Sequence, residues 1–393
     1  MTHIPITKAI FEDDDLAAVQ EPLRSGWVVQ GPFVAAFEHG FSDWTGTSHS
    51  MATTSCTTAM QLAMAALRLG PGDEVIVPSF TWVATANVVE HTGATPIFVD
   101  IDLATYNIDP AAIEAAITPR TVGIIPVHLF GQPAAMDPIM AVAARHHLWV
   151  VEDAACGFDT WYDGRHVGTF GEFGCFSFHP RKSITTGEGG MVTTASAERA
   201  AMIRTLRDHG ASRSDLERHQ QAYSFLLADY RHLGFNFRMT DLQGALGTTQ
   251  LAKASRIMAG RRAGAAWYDE LLAGVEWLQR PYRDAQVRHG EQSYVCLFQP
   301  EPVTMASCDR IFAQRNDGMA ALEARGIITR QGTHAPPHLP LYADKYNITP
   351  GDFPNGWLAE RCTISLPLYA SITQDECGQV VAALHEVFTG STS

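Results

Sequence analysis

Residues 175–191 read CFSFHPRKSITTGEGGM, an apolar run that passes through one lysine into a glycine-rich loop. A lysine is hard to accommodate at such a junction unless its amine is used, and a desolvated amine can form an imine with a carbonyl. Lys182 is therefore the first candidate for chemistry. Burial lowers an ammonium's pKa, so Lys182 is expected to serve as acid and base near neutrality. Other residues of complementary type accompany it. Asp153 closes the apolar run LWVVED, and Thr57 and Thr58 open a helical pattern. Free N–H groups and the macrodipole at a helix start favour an anion. Ser177 can add a hydroxyl donor, and Trp82 offers a flat face to a ring. Taken singly, Asp153 reads as a helix cap, Trp82 as a core aromatic and the threonine pair as an N-cap.

Taken together, these residues meet the needs of one cofactor. Pyridoxal 5'-phosphate requires a lysine for its imine, a carboxylate that keeps its ring nitrogen protonated, and a cradle for its phosphate. Motifs of the rival chemistries are missing from the sequence: there is no GxGxxG, GxxxxGK, HExxH or GxSxG.

The elements that must position these groups are visible as alternating patterns. Strands are expected at SHSMATT, EVIVPS, TPIFVD, VGIIPV and LWVVED. Between them lie helical patterns such as TTAMQLAMAALRL, closed by Gly70-Pro71, and PAAMDPIMAVAARHH. Strands alternating with helices imply βαβ units and an α/β fold with a mostly parallel central sheet flanked by helices. Ligands of such sheets lie at the carboxyl ends of the strands, where Thr57, Trp82, His128, Asp153 and Ser177 to Lys182 fall. Beyond residue 250 a long Ala- and Arg-rich helical stretch, TTQLAKASRIMAGRRAGAAWYDELL, leads into mixed strands and helices. With 393 residues exceeding one typical core, two domains are expected: residues 1–252, binding the cofactor, and a smaller C-terminal α+β domain at 253–393.

Composition limits the partners. A formal net charge of -14 opposes binding to nucleic acid, which needs clustered Lys and Arg. The N-terminal MTHIPITKAIFEDDD is acidic where a secretion signal is basic, and no apolar run reaches the roughly 18 residues of a spanning helix. The seven cysteines are scattered, odd in number and without CxxC. That usage suggests reduced thiols in a cytoplasmic protein, with no structural zinc and no metal in the site.

Nine stretches, in order, carry a family resemblance: SGWVVQGP, TTSCTTAMQLA, GPGDEVIVPSFTWVATANVV, GATPIFVDID, ITPRTVGIIPVHLFG, VVEDAACG, SFHPRKSITTGEGGMVTT, GFNFRMTDLQGALGTTQL and SLPLY. From Ser25 to Tyr369 the chain resembles the DegT/DnrJ/EryC1/StrS family of fold-type I pyridoxal-phosphate enzymes, the sugar aminotransferases. The resemblance implies that Lys182 binds the cofactor covalently and shuttles the proton. It sets Asp153 at the ring nitrogen, Trp82 on the ring, and Thr57, Thr58 and Ser177 at the phosphate. Asn236 in GFNFRMTD matches a residue that reaches the phosphate across a dimer interface, so a homodimer is the implied unit. After EDAA the family commonly carries Gln or His near the cofactor's phenolic oxygen, whereas Cys156 stands here. Cysteine is a weak donor, so another group or water makes that contact, or the cofactor is tuned differently.

The activity implied is transfer of an amino group from an amino acid, L-glutamate, through the pyridoxamine form of the cofactor to a keto-sugar nucleotide. The TTGEGGM run resembles enzymes that aminate C4 of 4-keto-6-deoxy sugars, for amino-sugar or polysaccharide biosynthesis. Expected substrate contacts are Trp27, His179, Arg181, Arg330 and His338, types that suit phosphate and hydroxyl groups. Family members with histidine in place of the lysine are dehydratases, so Lys182 favours transamination. A dehydratase, a cyclitol aminotransferase and a DNA-binding regulator are the alternatives.

Overall fold

The computed structural model describes residues 3–212 and 228–390. Its strands are β1 (His49–Thr53), β2 (Glu74–Pro78), β3 (Thr95–Val99), β4 (Thr121–Ile124), β5 (Trp149–Asp153), β6 (Trp161–Tyr162), β7 (Arg165–His166), β8 (Phe173–Ser177) and β9 (Gly190–Thr194), followed by β10 (Leu278–Gln279), β11 (Val287–Arg288), β12 (Tyr294–Phe298) and β13 (Thr363–Leu366). Seven of them form the central sheet in the order β1-β9-β8-β5-β4-β2-β3. Its pairs are parallel except those of β9, which runs against both β8 and β1. The fold is thus α/β with a mostly parallel sheet, and all five expected strands are present.

The sheet is covered on both faces, which explains why its strands read as unbroken apolar runs. Along β2, Val75 and Val77 pack with Ala59, Leu62 and Ala63 of the helix Cys56–Ala66. Ile76, between them, faces the other way onto Met136, Ile139 and Val142 of the helix Met136–His146. All three β2 residues are fully buried, and each contributes about 1.5–3 kcal/mol of hydrophobic stabilisation. A second sheet, β10-β12-β13, is antiparallel and packs against the helices Cys308–Ala324 and Gln374–Thr389. Ile4 joins that core and pairs with Ile327. A small third sheet, β11-β6-β7, lies beside the main one.

Two helix expectations are corrected. The helix that begins at Cys56 stops at Ala66, short of Gly70-Pro71, and Arg68 takes a left-handed turn at φ 60°. The long Ala- and Arg-rich stretch is two helices, Asp241–Ala252 and Ala254–Leu271. The break falls at Lys253, which is buried with its ammonium 2.7 Å from both Asp14 and Asp15. Turning one lysine inward against a carboxylate cluster decides the local geometry. Helical periodicity does not report that preference. The first of the two helices also starts earlier than expected, because Thr240 and Gln243 form a capping box.

Candidate active site

The candidate residues collect at the carboxyl ends of β5 and β8, beside the start of the helix Cys56–Ala66. Asp153, the last residue of β5, is 4% exposed. Its Oδ2 accepts a hydrogen bond of 2.8 Å from Thr85 Oγ1, and its Oδ1 accepts one of 3.1 Å from the Ala155 N–H. Thr85 Oγ1 in turn lies 3.1 Å from Thr81 Oγ1. A buried carboxylate therefore has one face fixed by a hydroxyl relay and the other by its own turn. Cys56 lies 3.9 Å from Asp153 Oδ1, and burial, reinforced by the Asp153 charge, pushes its thiol well above the ordinary range.

Lys182 follows β8 in a loop tied across its neck. The Phe178 N–H donates to the Gly189 carbonyl at 2.9 Å, and the Thr186 N–H donates to the Phe178 carbonyl at 3.0 Å. Gly187, at φ 81°, supplies the left-handed turn that sends the chain back into β9. A Cβ on Gly190 would stand 2.3 Å from the Ser55 carbonyl carbon, so glycine there lets β9 pass against the helix start. Lys182 Nζ donates to Cys156 Sγ at 3.1 Å. Burial pulls the amine down, yet Cys156, Cys56 and Asp153 outweigh it and hold Lys182 above the usual lysine range. The direction is opposite to the one expected from burial alone.

At the helix start the cap is Ser55, correcting the reading of Thr57 and Thr58 as the cap pair. Ser55 Oγ accepts from the Thr58 N–H at 3.2 Å, and Thr58 Oγ1 accepts from the Ser55 N–H at 3.0 Å. Thr58 is thereby committed to the capping box, whereas the Thr57 hydroxyl hydrogen-bonds no described residue. First-turn N–H groups lack intrahelical partners, so Thr57 and the helix start keep donors for an anion. Ser177 is half-buried and accepts from the His179 N–H at 3.4 Å.

Trp82 is not a core residue: it is 59% exposed. Its ring lies 5.7 Å from that of His334, and the Thr81 N–H donates to the His334 carbonyl at 3.0 Å. The segment carrying Arg330 and His334, which pairs with β13 through Arg330 and Ser365, thus reaches the site. Thr81, Thr85 and His334 were missed from sequence. Two hydroxyl residues spaced i, i+4 around Trp82, in TWVAT, were the available signal; nothing marked His334.

The other candidates are placed unevenly. The half-buried His179 accepts from the Arg181 N–H at 3.2 Å and sits 3.9 Å from Glu188, and burial lowers its pKa. Arg181 and Arg330 are exposed, with Arg330 donating to the Thr329 carbonyl at 2.9 Å. Trp27 donates to the Gln30 carbonyl at 3.3 Å, in a turn that Asp241 holds by accepting from the Gly31 and Val34 N–H groups. His338 is committed elsewhere: its ring packs 5.1 Å from Trp357, and its Nε2 is 3.3 Å from the Phe353 carbonyl. His334, and not His338, lies against Trp82. Asn236 is exposed in an extended run; the adjacent Phe237 carbonyl accepts from the Thr54 N–H at 3.1 Å.

An amine, a fixed carboxylate, a bared indole and a helix start with spare donors are the group types a charged pyridine phosphate needs. Residues 10–385 match the model of the DegT/DnrJ/EryC1/StrS aminotransferase family. The chain belongs to that family. It is similar to GDP-perosamine synthase of Caulobacter vibrioides, at 38% identity over 392 residues, covering 98% of this chain and 99% of the relative. Among solved structures it is similar to S. venezuelae DesV, captured with a ketimine intermediate, with TM-score 0.88, 32% identity and 99% of each chain covered. The Streptococcus pneumoniae chain Spr1654, solved in PLP and PMP forms, gives TM-score 0.90 at 26% identity over 99% of each chain. This sugar aminotransferase is accordingly a transferase that depends on pyridoxal phosphate. Among the described residues, no helix is long and apolar enough to cross a membrane.

Proposed function

We propose that this sugar aminotransferase moves an amino group from L-glutamate to the keto carbon of a sugar nucleotide, a 4-keto-6-deoxy hexose linked to a nucleoside diphosphate. Pyridoxal phosphate, when bound, supplies the electron sink that acidifies the carbon next to nitrogen. The remaining work falls to residues of this chain. Lys182 holds the cofactor covalently, and its Nζ carries the proton between donor or acceptor carbon and cofactor. Asp153, fixed by Thr85, faces the ring nitrogen and keeps a positive charge there. Trp82 covers one ring face, and Thr57, the helix start and Ser177 receive the phosphate. Thr58 supports this cradle through the capping box.

The observation that carries this reading is a buried Asp153 that Thr85 orients and whose charge acts on the Lys182 amine, with Trp82, 59% exposed, in the same TWVAT stretch as Thr85. Three groups so different in burial gain nothing from one another as packing. The similarity to GDP-perosamine synthase supports a sugar-nucleotide acceptor. Arg181 and Arg330 are exposed cations in a chain with 28 Lys and Arg against 42 Asp and Glu. Such cations suit the diphosphate, with Trp27 and His179 beside the sugar. In the homodimer we envisage, Asn236 of the partner subunit completes the phosphate site. Mass spectrometry of products from a panel of keto-sugar nucleotides with glutamate tests the proposal. Replacement of a keto oxygen by an amine is expected with one nucleotide sugar. Loss of water, or equal activity on free keto sugars, would overturn it.

A further inference from the structure

Of the seven cysteines, all within the described residues, six are buried and Cys156 alone is half-buried. Cys56 and Cys175 sit in apolar surroundings beneath Asp153, where burial pushes their thiols well above the ordinary range. Thiols of that kind are inert, because the thiolate is the reactive form. Cys156 differs in access and in its neighbour, since its Sγ accepts a hydrogen bond from Lys182 Nζ at 3.1 Å. Turns set both residues in place. The Gly157 N–H donates to the Ala154 carbonyl at 2.8 Å around Cys156, and the Lys182 N–H donates to the His179 carbonyl at 2.8 Å. Sulfur and nitrogen therefore meet in a geometry maintained by two tied loops.

We propose that Cys156 and Lys182 form a reversible redox lock, in which a hydroperoxide joins the sulfur of one to the amine nitrogen of the other. In the first step Cys156 sulfur attacks the peroxide oxygen and the O–O bond breaks. The sulfur is oxidised by two electrons to a sulfenic acid, and the hydroperoxide is reduced to an alcohol, or to water when it is hydrogen peroxide. Nζ, once it has lost its ammonium proton to solvent, attacks the sulfur with its lone pair, the S–O bond breaks, and the departing oxygen leaves as water with a second proton from Nζ. The product is a sulfenamide. A dithiol reverses it: one thiol sulfur displaces the nitrogen, which takes up a proton as the free amine. The second thiol then releases Cys156, and the dithiol ends as a disulfide. The lock spares Cys156 the irreversible steps to sulfinic and sulfonic acid. It also removes the amine on which cofactor attachment depends.

The lock stands without the sugar-nucleotide reading, and only its effect on cofactor uptake rests on Lys182 being the attachment point. The test uses the full-length protein freed of cofactor and treated with hydrogen peroxide. Peptide mapping is expected to find the Cys156 and Lys182 peptides joined, lighter by two hydrogens than the reduced pair, and separated again by dithiothreitol. Uptake of pyridoxal phosphate, followed by its visible absorbance, should be lost on oxidation and return on reduction. In Cys156→Ala the same peroxide treatment should leave uptake as it was before treatment. In Lys182→Arg, Cys156 should proceed to sulfinic acid. Cys156 found as sulfinic acid beside a free Lys182 in the unaltered protein would overturn the lock, as would a Cys156 that stays reduced. Joined peptides with undiminished uptake would uphold the lock and overturn Lys182 as the attachment point.

Discussion

Thr85→Val tests how the site holds its carboxylate. The substitution keeps the volume and branching of the side chain while removing the hydroxyl that donates to Asp153 Oδ2 at 2.8 Å. Thr85 is fully buried and Asp153 is 4% exposed, so bulk water does not readily replace the lost donor. A hydrogen bond to a charged group contributes about 1.5–3 kcal/mol. If that orienting energy is expressed when Asp153 faces the ring nitrogen, turnover should fall by roughly 10- to 100-fold, at about 1.4 kcal/mol per tenfold. Steady-state kinetics with glutamate and the sugar nucleotide reads kcat, and absorbance titration reads cofactor affinity. Thr85→Ser, which restores the hydroxyl, should recover most of the lost rate. Wild-type turnover in Thr85→Val, alongside a severe defect in Asp153→Asn, would refute the claim that Thr85 orients the carboxylate.

Asp153→Asn keeps the size and removes the charge, so kcat should fall far more than cofactor affinity, in the same two assays. Mixing inactive Lys182→Ala with inactive Asn236→Ala should restore part of the activity after subunit exchange, because one site of the mixed dimer receives both intact residues; activity that stays absent after verified exchange contradicts shared sites. Lys253→Ala removes the ammonium beside Asp15, which keeps its hydrogen bonds from Thr249 and Gln250, and denaturant unfolding should show a loss of about 1.5–3 kcal/mol, that of a hydrogen bond to a charged group. Burial acts to raise the Asp15 pKa, but hydrogen bonds from Lys253 and Thr249 outweigh it and hold the carboxyl below its ordinary value. The stability it adds is therefore present above the ordinary aspartate range and lost as pH falls below it, and Lys253→Ala should weaken that acid dependence.

The parallel sheet was legible because β2, β3, β4 and β5 are short apolar runs bounded by polar turns, and burial on both faces writes that pattern directly. Lys182 and Asp153 were legible for a related reason: each is a charge at the end of an apolar run. The helix break at Lys253 was not, since a lysine within a helical pattern reads as solvated until its long-range partners Asp14 and Asp15 are known. Ser55, Thr57 and Thr58 are chemically alike, and only the folded helix start shows which hydroxyl caps. Nothing local in the sequence marks His334 as the ring that lies against Trp82. Cys156 was legible as a departure from the family pattern, but its contact with Lys182 joins residues 26 apart in sequence and appears only in three dimensions.

The central claim is that the Lys182 amine carries the cofactor. Borohydride reduction of the purified enzyme, followed by peptide mapping, measures that attachment directly. The pyridoxyl group is expected on the peptide containing Lys182, and no labelling is expected in Lys182→Ala. A pyridoxyl group fixed to any other lysine, with Lys182 unmodified, would contradict the account.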